Sequence, residues 1–502
     1  MSITSSALTA MTPETGIQID VHPAVDSPVV KALGRWMVEL LSRWLFQKSA
    51  RPTWCLPCSQ LPVEVWMLVL MEYCLSSTSV AGFCANRDFL RNLWIEFDVL
   101  LCSDASFWTR LSVSLASVPR SIELAVGNSR QRGLRLEIDL RSALADWEYD
   151  EDLDEDPEQR RLMRCLDSVR SASTRWLSIR CQVNRELYLE VLRIFLRGAI
   201  VPLLVFADLD STVADAQRDM AICCGAFPSL EHLRVSAFPV YWMRDCVFPV
   251  ITMLELRSLS PFHYPSIADL AALFRNLSAT LKTLVLAGIG FSDYRLVAPA
   301  PFVMSTVEYI DLVFVFGNPL QDEKLVDFLS SIAFPALRSF RLENGDEDTS
   351  TMLAARFTYL QNITSFTVDA GVIRRAPALL LTRALSSLKL LNVESASVEF
   401  VEALTDGSEL LEGLEVLRFN ALDADSILKF LRGRAKLGMT PLRVLRCAHD
   451  PRVPLDGLQY DSIGHLRSLA EIFESSVLAV EAEESKQEQF VDFPESEVFL
   501  LP

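Results

Sequence analysis

The sequence has few of the motifs on which common enzyme classes depend. Only five histidines are present, none in an H-E-x-x-H pattern, and there is no G-x-S-x-G, G-x-x-x-x-G-K-[ST] or G-x-G-x-x-G segment. Carboxylates are plentiful, but they stand mostly in runs such as residues 150–156 and 481–484, which are typical of a solvated surface. We therefore expect no enzymatic activity, no cofactor and no metal site.

Basic residues and long apolar runs are also scarce. The 47 Lys and Arg residues are outnumbered by 65 Asp and Glu residues, which gives a net charge of −18. Because clustered Lys and Arg bind phosphate groups, this balance argues against nucleic acid and anionic membranes as partners. No apolar run reaches the ~18 residues of a membrane span. The nearest one, residues 30–46, predicts an amphipathic helix that packs on the rest of the protein or lies on a membrane or partner.

Eleven cysteines are present, an odd number, and several stand inside apolar periodic runs. The first residues lack the basic and apolar regions of a secretory signal. We therefore expect a reducing cytoplasmic or nuclear setting, in which most cysteines are small buried hydrophobic residues.

A Trp-Cys-Leu-Pro-Cys run that contains Cys55 and Cys58 looks like the redox site of thioredoxins. Such a site needs a preceding strand and a helix that continues from the first Cys, because the helix dipole lowers the thiol pKa. Here a polar stretch comes first, and Pro62 interrupts any helix soon after the second Cys. A zinc site would need a second pair of ligands, and Cys74 and Cys84 have the wrong spacing. A thiol–disulfide oxidoreductase at Cys55 and Cys58 is therefore a remote alternative.

From about residue 170 onward the sequence repeats an apolar residue, two residues of any kind, an apolar residue, one of any kind, and a third apolar residue. Successive copies start 21 to 30 residues apart, and two weaker copies precede them at Thr174 and Val201. Their last two apolar positions alternate with a polar one, which predicts a short strand with one buried face. The nine clear copies begin at Leu230, Ile251, Leu281, Val307, Leu337, Ile363, Leu388, Leu414 and Leu442.

The stretches between these strands carry apolar residues at helical spacing, so each unit is a strand, a loop and a helix. A single unit cannot bury both its faces, and neighbouring units must stack to share one core. The clearest helical stretches are residues 267–277, 323–332, 398–406 and 424–433.

This pattern resembles the leucine-rich-repeat family over residues 170–450, more than half of the chain. The LxxLxL core of the family is present, but its Asn three residues after the third apolar position is absent. The resemblance implies an α/β fold in which an irregular solenoid of strand–loop–helix repeats carries parallel strands on its concave face. The places of the missing Asn hold Phe238, Leu259, Ile289, Val315, Gly345, Gly371, Ala396, Leu422 and Asp450.

Two segments before the repeats, LPVEV from Leu61 and LRNLWIEFDVLLCSDASFW from Leu90, resemble the F-box, a small helical module. Pro62 stands where the first turn of a helix tolerates proline. The segment between the two is longer than usual, and Phe97 replaces the central Trp of the family, so we describe residues 56–112 as a degenerate F-box. Phe107 and Trp108 occupy the closing Leu-Trp place. The order of F-box before repeats is similar to that of F-box proteins with leucine-rich repeats. After Trp108, residues 117–140 alternate as strands do, which also resembles the F-box proteins of mushroom-forming (basidiomycete) fungi.

The resemblance implies a substrate-recognition adaptor of an SCF-type cullin–RING ubiquitin ligase, whose repeats hold a target protein. Its F-box would dock on the Skp-family adaptor of the cullin complex. The alternatives are that some of the docking residues only pack inside the module, and that the chain is a leucine-rich-repeat interaction scaffold with a non-functional F-box. The docking residues implied are Leu61, Pro62, Val65, Leu68, Leu93 and Phe97.

A solenoid lines its inner face with the strand residues that point away from the core. Arginines gather toward the C-terminal end of this row, and an Arg cluster can bind a carboxylate or a phosphate through paired hydrogen bonds. We predict that Arg341, Arg418, Arg443 and Arg446 form part of a site for an anionic peptide. The alternative is that they are ordinary surface arginines paired with nearby acids. The row consists of Arg234, Glu255, Val285, Asp311, Arg341, Thr367, Asn392, Arg418 and Arg446.

These assignments divide the chain into five segments. They are a flexible N-terminus with the amphipathic helix (1–55), the degenerate F-box (56–112), a connector with an acidic loop (113–170), the leucine-rich-repeat array (170–465) and an acidic C-terminal tail (466–502).

Overall fold

The computed structural model describes much of the chain between residues 80 and 448. The predictions for residues 1–55, the LPVEV segment, Cys55, Cys58, Phe97, Arg443 and nearly all of 466–502 lie outside the described residues. Apart from short pieces and single residues, the described ranges are 80–93, 104–141, 157–197, 199–211, 227–237, 246–257, 264–293, 300–314, 319–345, 347–370, 373–396, 398–406, 411–420, 444–448 and 480–483.

The chain divides into two compact units, residues 1–206 and 207–502. In the first unit three parallel strands pair in chain order, and helices connect them. The strands are β1 (Arg110–Ser114), β2 (Leu134–Leu140) and β3 (Trp176–Val183). The helices are α1 (Val80–Leu93), α2 (Pro119–Asn128), α3 (Pro157–Arg170) and α4 (Glu186–Leu196).

The second unit has the same alternation of strands and helices. Its sheet begins at β4 (Phe206–Ser211), and from β5 onward each strand pairs in parallel with the next strand of the sheet. Its strands are β5 (His232–Ser236), β6 (Met253–Arg257), β7 (Thr283–Ala287), β9 (Tyr309–Val313), β11 (Ser339–Glu343), β12 (Ser365–Ala370), β13 (Leu390–Ala396), β14 (Val416–Asn420), β15 (Val444–Ala448) and β16 (Val480–Glu483), with β8 (Phe302–Val303) and β10 (Ile332–Ala333) paired apart from this sheet. Its helices are α5 (Ile267–Leu277), α6 (Pro319–Ser330), α7 (Glu347–Arg356), α8 (Arg375–Ala384) and α9 (Val398–Asp406).

The predicted class, an α/β protein with parallel strands, is confirmed, and such an alternation is compatible with a repeat solenoid. Helices α5 and α9 have the predicted bounds, whereas α6 begins four residues before the predicted start at residue 323. The helix predicted over residues 424–433 falls almost entirely outside the described residues.

The apolar positions of the repeat pattern form the core of the second unit. Each of those whose side chain the structure describes is at most 2 % exposed, from Leu230 to Leu442. Neighbouring strands pair so that equivalent repeat positions lie side by side; for example, Leu254 pairs with Leu284. Since burying one such side chain contributes roughly 1.5–3 kcal/mol, the repeated pattern is the main source of stability in this unit.

Helix α5 shows how the helices of the second unit pack beside its strands. The Ser266 side chain accepts a hydrogen bond from the Asp269 backbone N–H, which satisfies a free donor at the helix N-terminus. Leu270 and Phe274 recur at helical spacing and are buried. The Phe274 ring lies 5.6 Å from the ring of Phe328 on α6, so consecutive helices pack against each other through aromatic contacts.

Backbone geometry replaces the missing Asn at several strand ends. Ala237, Gly288 and Asn344, the first residues after β5, β7 and β11, have positive φ angles of 50°, 65° and 58°. The Ala237 and Gly288 N–H groups donate to the carbonyls of Arg257 and Val313 on the next strands. A left-handed residue therefore turns the chain here, and a further interstrand hydrogen bond holds the turn.

The strand–helix alternation starts earlier than the sequence pattern indicates. Strand β1 spans the boundary between the predicted F-box, residues 56–112, and the predicted connector, residues 113–170, and β2 lies within the connector. Strand β1 fits the repeat spacing, with Trp108, Leu111 and Val113 buried at the apolar positions, although the repeat pattern predicted from the sequence starts only at about residue 170. No helix in the described ranges is long and apolar enough to cross a membrane.

Candidate functional site

The parallel register of the second unit gathers polar side chains into one surface. Alternate residues of a strand point to opposite faces, so the residues between the buried apolar ones lie together on the other face, with neighbouring strands about 4.8 Å apart. We call this surface the polar strand face. It comprises His232, Arg234, Glu255, Arg257, Tyr309, Asp311, Arg341, Glu343, Glu394 and Arg418.

Glu255 is the centre of a first charge cluster on this face and is only 5 % exposed. Its Oε1 lies 3.0 Å from His232 Nε2, and its Oε2 lies 2.8 Å from Arg257 Nε and 3.8 Å from Arg234 Nε. Asp208 Oδ1 lies 3.8 Å from the same Arg234 atom. Burial alone would raise the pKa of Glu255, but the hydrogen bond to His232 and the charge of Arg257 bring it below its usual value. The groups around Glu255 therefore more than offset the cost of burying its negative charge.

A second group, which we call the Asp311 cluster, consists of Asp311, Arg341, Glu343 and Glu394. Arg341 Nη1 lies 3.5 Å from Asp311 Oδ2, and its Nη2 lies 3.1 Å from Glu343 Oε2 and 3.0 Å from Glu394 Oε2. One guanidinium is thus shared by three carboxylates. The same arrangement raises the pKa of Arg341 despite its partial burial.

A β-bulge brings Glu394 into this cluster. Val393 pairs with Val368 and Ser395 with Asp369, so Glu394 is an extra residue without a partner position on β12. A bulge re-aims a side chain. Here it accompanies a contact that reaches from β13 across β12 to the guanidinium on β11.

The Asp311 cluster has less positive than negative charge, because one guanidinium faces three carboxylates. Burial raises the pKa of Asp311 to about 6, and Arg341 and Arg257 offset this effect only in part, because the two glutamates of the cluster act in the opposite direction. Asp311 is 5 % exposed, and its Oδ1 has no hydrogen-bond partner among the residues that the structure describes. Burial and the charge of Asp311 also raise the pKa of the neighbouring Tyr309 phenol.

The arginines that the sequence predicts to form one site have different surroundings in the structure. Arg341 is paired with nearby acids, which is the alternative given above for this residue. Arg418 is half-buried, its Nε has no hydrogen-bond partner, and the described ranges provide no ion pair for it. Arg446 lies next to Arg418 in the register of β14 and β15. Among the described side chains of this row, the arginine available to an anion is therefore Arg418 on β14.

Of the predicted docking residues, only Leu93 belongs to a described element, as the last residue of α1. Nearby, Trp108 is fully buried, and its Nε1 donates to the Leu101 carbonyl at 2.7 Å. The Arg87 guanidinium lies 4.3 Å from the centre of the Trp108 ring, and Arg87 Nη1 donates to the Phe107 carbonyl. Trp108 therefore anchors α1 to the segment that leads into β1, and a ring buried in this way does not face a partner.

The described ranges contain no group of three or more His, Cys, Asp and Glu side chains that could hold a metal ion. Burial raises the pKa of the Cys74 thiol to about 12 and also raises that of Cys84. These two thiols are therefore poor nucleophiles at neutral pH.

The positions of Asp311 and Glu255 on the polar face follow from the repeat pattern, but the ion pairs do not. The Glu394 contact depends on the bulge, and no sequence signal marks it. No protein-family model matches the chain, and no curated protein matches it in sequence.

Proposed function

We propose that the chain is the substrate-recognition subunit of a cullin–RING ubiquitin ligase and belongs among F-box proteins with leucine-rich repeats. The polar strand face would hold a target protein, and residues 56–112 would dock on the Skp-family adaptor. The observation that carries the proposal is the in-register row of strand positions on one face, in which the charged pairs Arg234–Glu255 and Asp311–Arg341 lie on neighbouring strands. Such a row is a surface suited to an extended protein partner. A subunit of this kind would act in the cytoplasm or nucleus.

The adaptor contact rests on the sequence resemblance of residues 56–112. Its proposed residues are Leu61, Pro62, Val65, Leu68, Leu93 and Phe97. Trp108 supports the contact indirectly, because it fixes α1, which ends at Leu93.

The test is a pull-down of the full-length protein with a purified Skp-family adaptor. The triple variant Leu61→Ala/Pro62→Ala/Phe97→Ala removes three proposed docking residues. Loss of central apolar anchors commonly costs ~2 kcal/mol or more, so we expect binding to weaken at least about thirtyfold. The matched control Ile200→Ala/Leu203→Ala removes two exposed apolar side chains elsewhere and should bind normally. Equal binding by the triple variant and the wild type would refute the docking assignment.

A second candidate is an interaction scaffold that binds no adaptor. It is favoured by the location of the polar strand face within residues 207–502, where the charge clusters of Glu255 and Asp311 are built from residues of the same unit. Failure of the wild-type protein to bind the adaptor, together with retained peptide binding at this face, would select the scaffold.

A further inference from the structure

The two charge clusters of the polar strand face differ in their balance. Around Glu255, two arginines and a histidine stand against two carboxylates. The Asp311 cluster has three carboxylates and one guanidinium. With every carboxylate ionised, this cluster carries two excess negative charges on a half-buried surface.

A buried acceptor in the Asp311 cluster is also left without a partner. Asp311 is 95 % buried, and its Oδ1 accepts no hydrogen bond from a described residue, although Oδ2 faces Arg341 at 3.5 Å. Leaving such a group unsatisfied costs about 1–3 kcal/mol. Native proteins seldom retain such groups. Together with the excess negative charge of the cluster, this buried carboxylate favours a partner that brings positive charge close to it.

The other two carboxylates of the cluster are within reach of a partner. The side chains of Glu343 and Glu394 are 26 % and 30 % exposed, and Tyr309 beside them is half-buried. A long basic side chain could lay its aliphatic part along the Tyr309 ring and its charged end between the two glutamates. The field of that charge would stabilise the ionised form of Asp311 behind them.

We propose that the Asp311 cluster binds a basic side chain, lysine or arginine, of the target protein. This inference rests on the proposed function of the polar strand face as a target-binding surface. The sequence predicts that Arg341 helps to bind an anionic group of the target. The inference predicts a basic group at this place instead, because Arg341 already pairs with three acids. An anionic group of the target would instead find Arg418, about 14 Å from the Arg341 strand at the usual strand spacing.

The test is a selection of random dodecapeptides, displayed on phage, against immobilised full-length protein. Parallel selections use Glu343→Gln/Glu394→Gln and a matched control, Glu323→Gln/Asp327→Asn. The control removes two carboxylates that pair with Arg356 away from the polar strand face. We expect enrichment of a Lys or Arg position with the wild type and the control, and none with the double glutamine variant.

A synthetic copy of one enriched peptide then gives the affinity. We expect its binding to be at least about tenfold weaker for Glu343→Gln/Glu394→Gln, and unchanged for the control. Circular dichroism shows whether the double variant is folded. If it is unfolded, the measurement is repeated with the single variant Glu343→Gln, for which we expect a smaller loss of peptide affinity.

Peptides that bind without a basic residue, or that bind the glutamine variants as tightly as the wild type, would overturn the inference while leaving the target-binding face intact. No selected peptide on any form would overturn both the inference and the role of this face. The adaptor pull-down would still test the F-box separately.

Discussion

The replacement Asp311→Asn should stabilise the protein at pH 7.5, although it removes a carboxylate that faces an arginine. The pKa of Asp311 is raised above its usual value, so the native state holds the proton more tightly than the unfolded chain. Stability from this group is therefore fully present below about pH 4 and is lost as the pH rises through about 6. Asparagine has nearly the shape of the protonated side chain and carries no charge at any pH.

The magnitude follows from the same pKa. A rise from 3.8 to about 6 corresponds to about 3 kcal/mol, at 1.36 kcal/mol for each pKa unit. The 5 % exposure of Asp311 means that water does little to screen this energy. We thus expect the variant to be more stable by up to about 3 kcal/mol at pH 7.5 and by close to zero at pH 4.

Glu255→Gln is a matched control for which we expect the opposite effect on the free energy of unfolding. Glu255 is equally buried, but its pKa lies below the usual value because His232 and Arg257 outweigh the effect of burial. A lowered pKa stabilises the native state above the ordinary pKa of glutamate, and this stability is lost as the pH falls through the lowered value. The glutamine variant should therefore be less stable than the wild type at pH 7.5.

Hydrogen exchange of peptides that cover β6, β9 and β11 measures both effects as opening free energies. Slower exchange of Asp311→Asn at pH 7.5, with the difference lost near pH 4, is the expected result. Faster exchange at pH 7.5 would refute the reasoning, since it would show that Arg341 more than compensates for the burial of Asp311. An identical response of Asp311→Asn and Glu255→Gln would refute the difference between the two clusters.

Two further predictions concern residues whose partners differ. Arg341→Gln should lower the free energy of unfolding by on the order of 3 kcal/mol because it leaves buried Asp311 without its counter-ion. Arg418→Gln, which breaks no ion pair with a described residue, should change it by less than about 0.5 kcal/mol, and equal urea midpoints of the two variants would contradict this contrast. Trp108→Phe should cost about 1–3 kcal/mol in thermal unfolding, because the buried Leu101 carbonyl loses its donor; an unchanged melting temperature would count against that role.

Much of the second unit could be predicted because one simple pattern determines it. The apolar positions of LxxLxL predict the strands, and all those described in side-chain detail are buried. Helix α5 was predictable because Ser266 marks its start and apolar residues recur at helical spacing. Strand β2 lies in residues 117–140, whose alternation predicts strand, but the first part of that stretch forms helix α2, and no strand is predicted at β1.

The candidate site was predictable in position but not in charge balance. The repeat pattern places Asp311 and Arg341 in neighbouring positions of one row, as the register confirms. It does not place Glu394, which reaches Arg341 from two strands away, at a bulge that shifts the register by one residue. A single inserted residue thus adds a third carboxylate to an arginine that Asp311 and Glu343 already contact.

Counting arginines along a strand row is therefore a poor guide to the ligand that the row accepts. Arg341 and Arg418 occupy equivalent repeat positions, yet one is shared by three acids and the other has no acidic partner in the described ranges. Long side chains on parallel strands reach past the neighbouring strand, so the charge available at one position depends on residues about 50 positions away in the sequence, as for Glu394. In a repeat protein the apolar positions report the fold locally, whereas the specificity of the polar face arises from contacts between repeats.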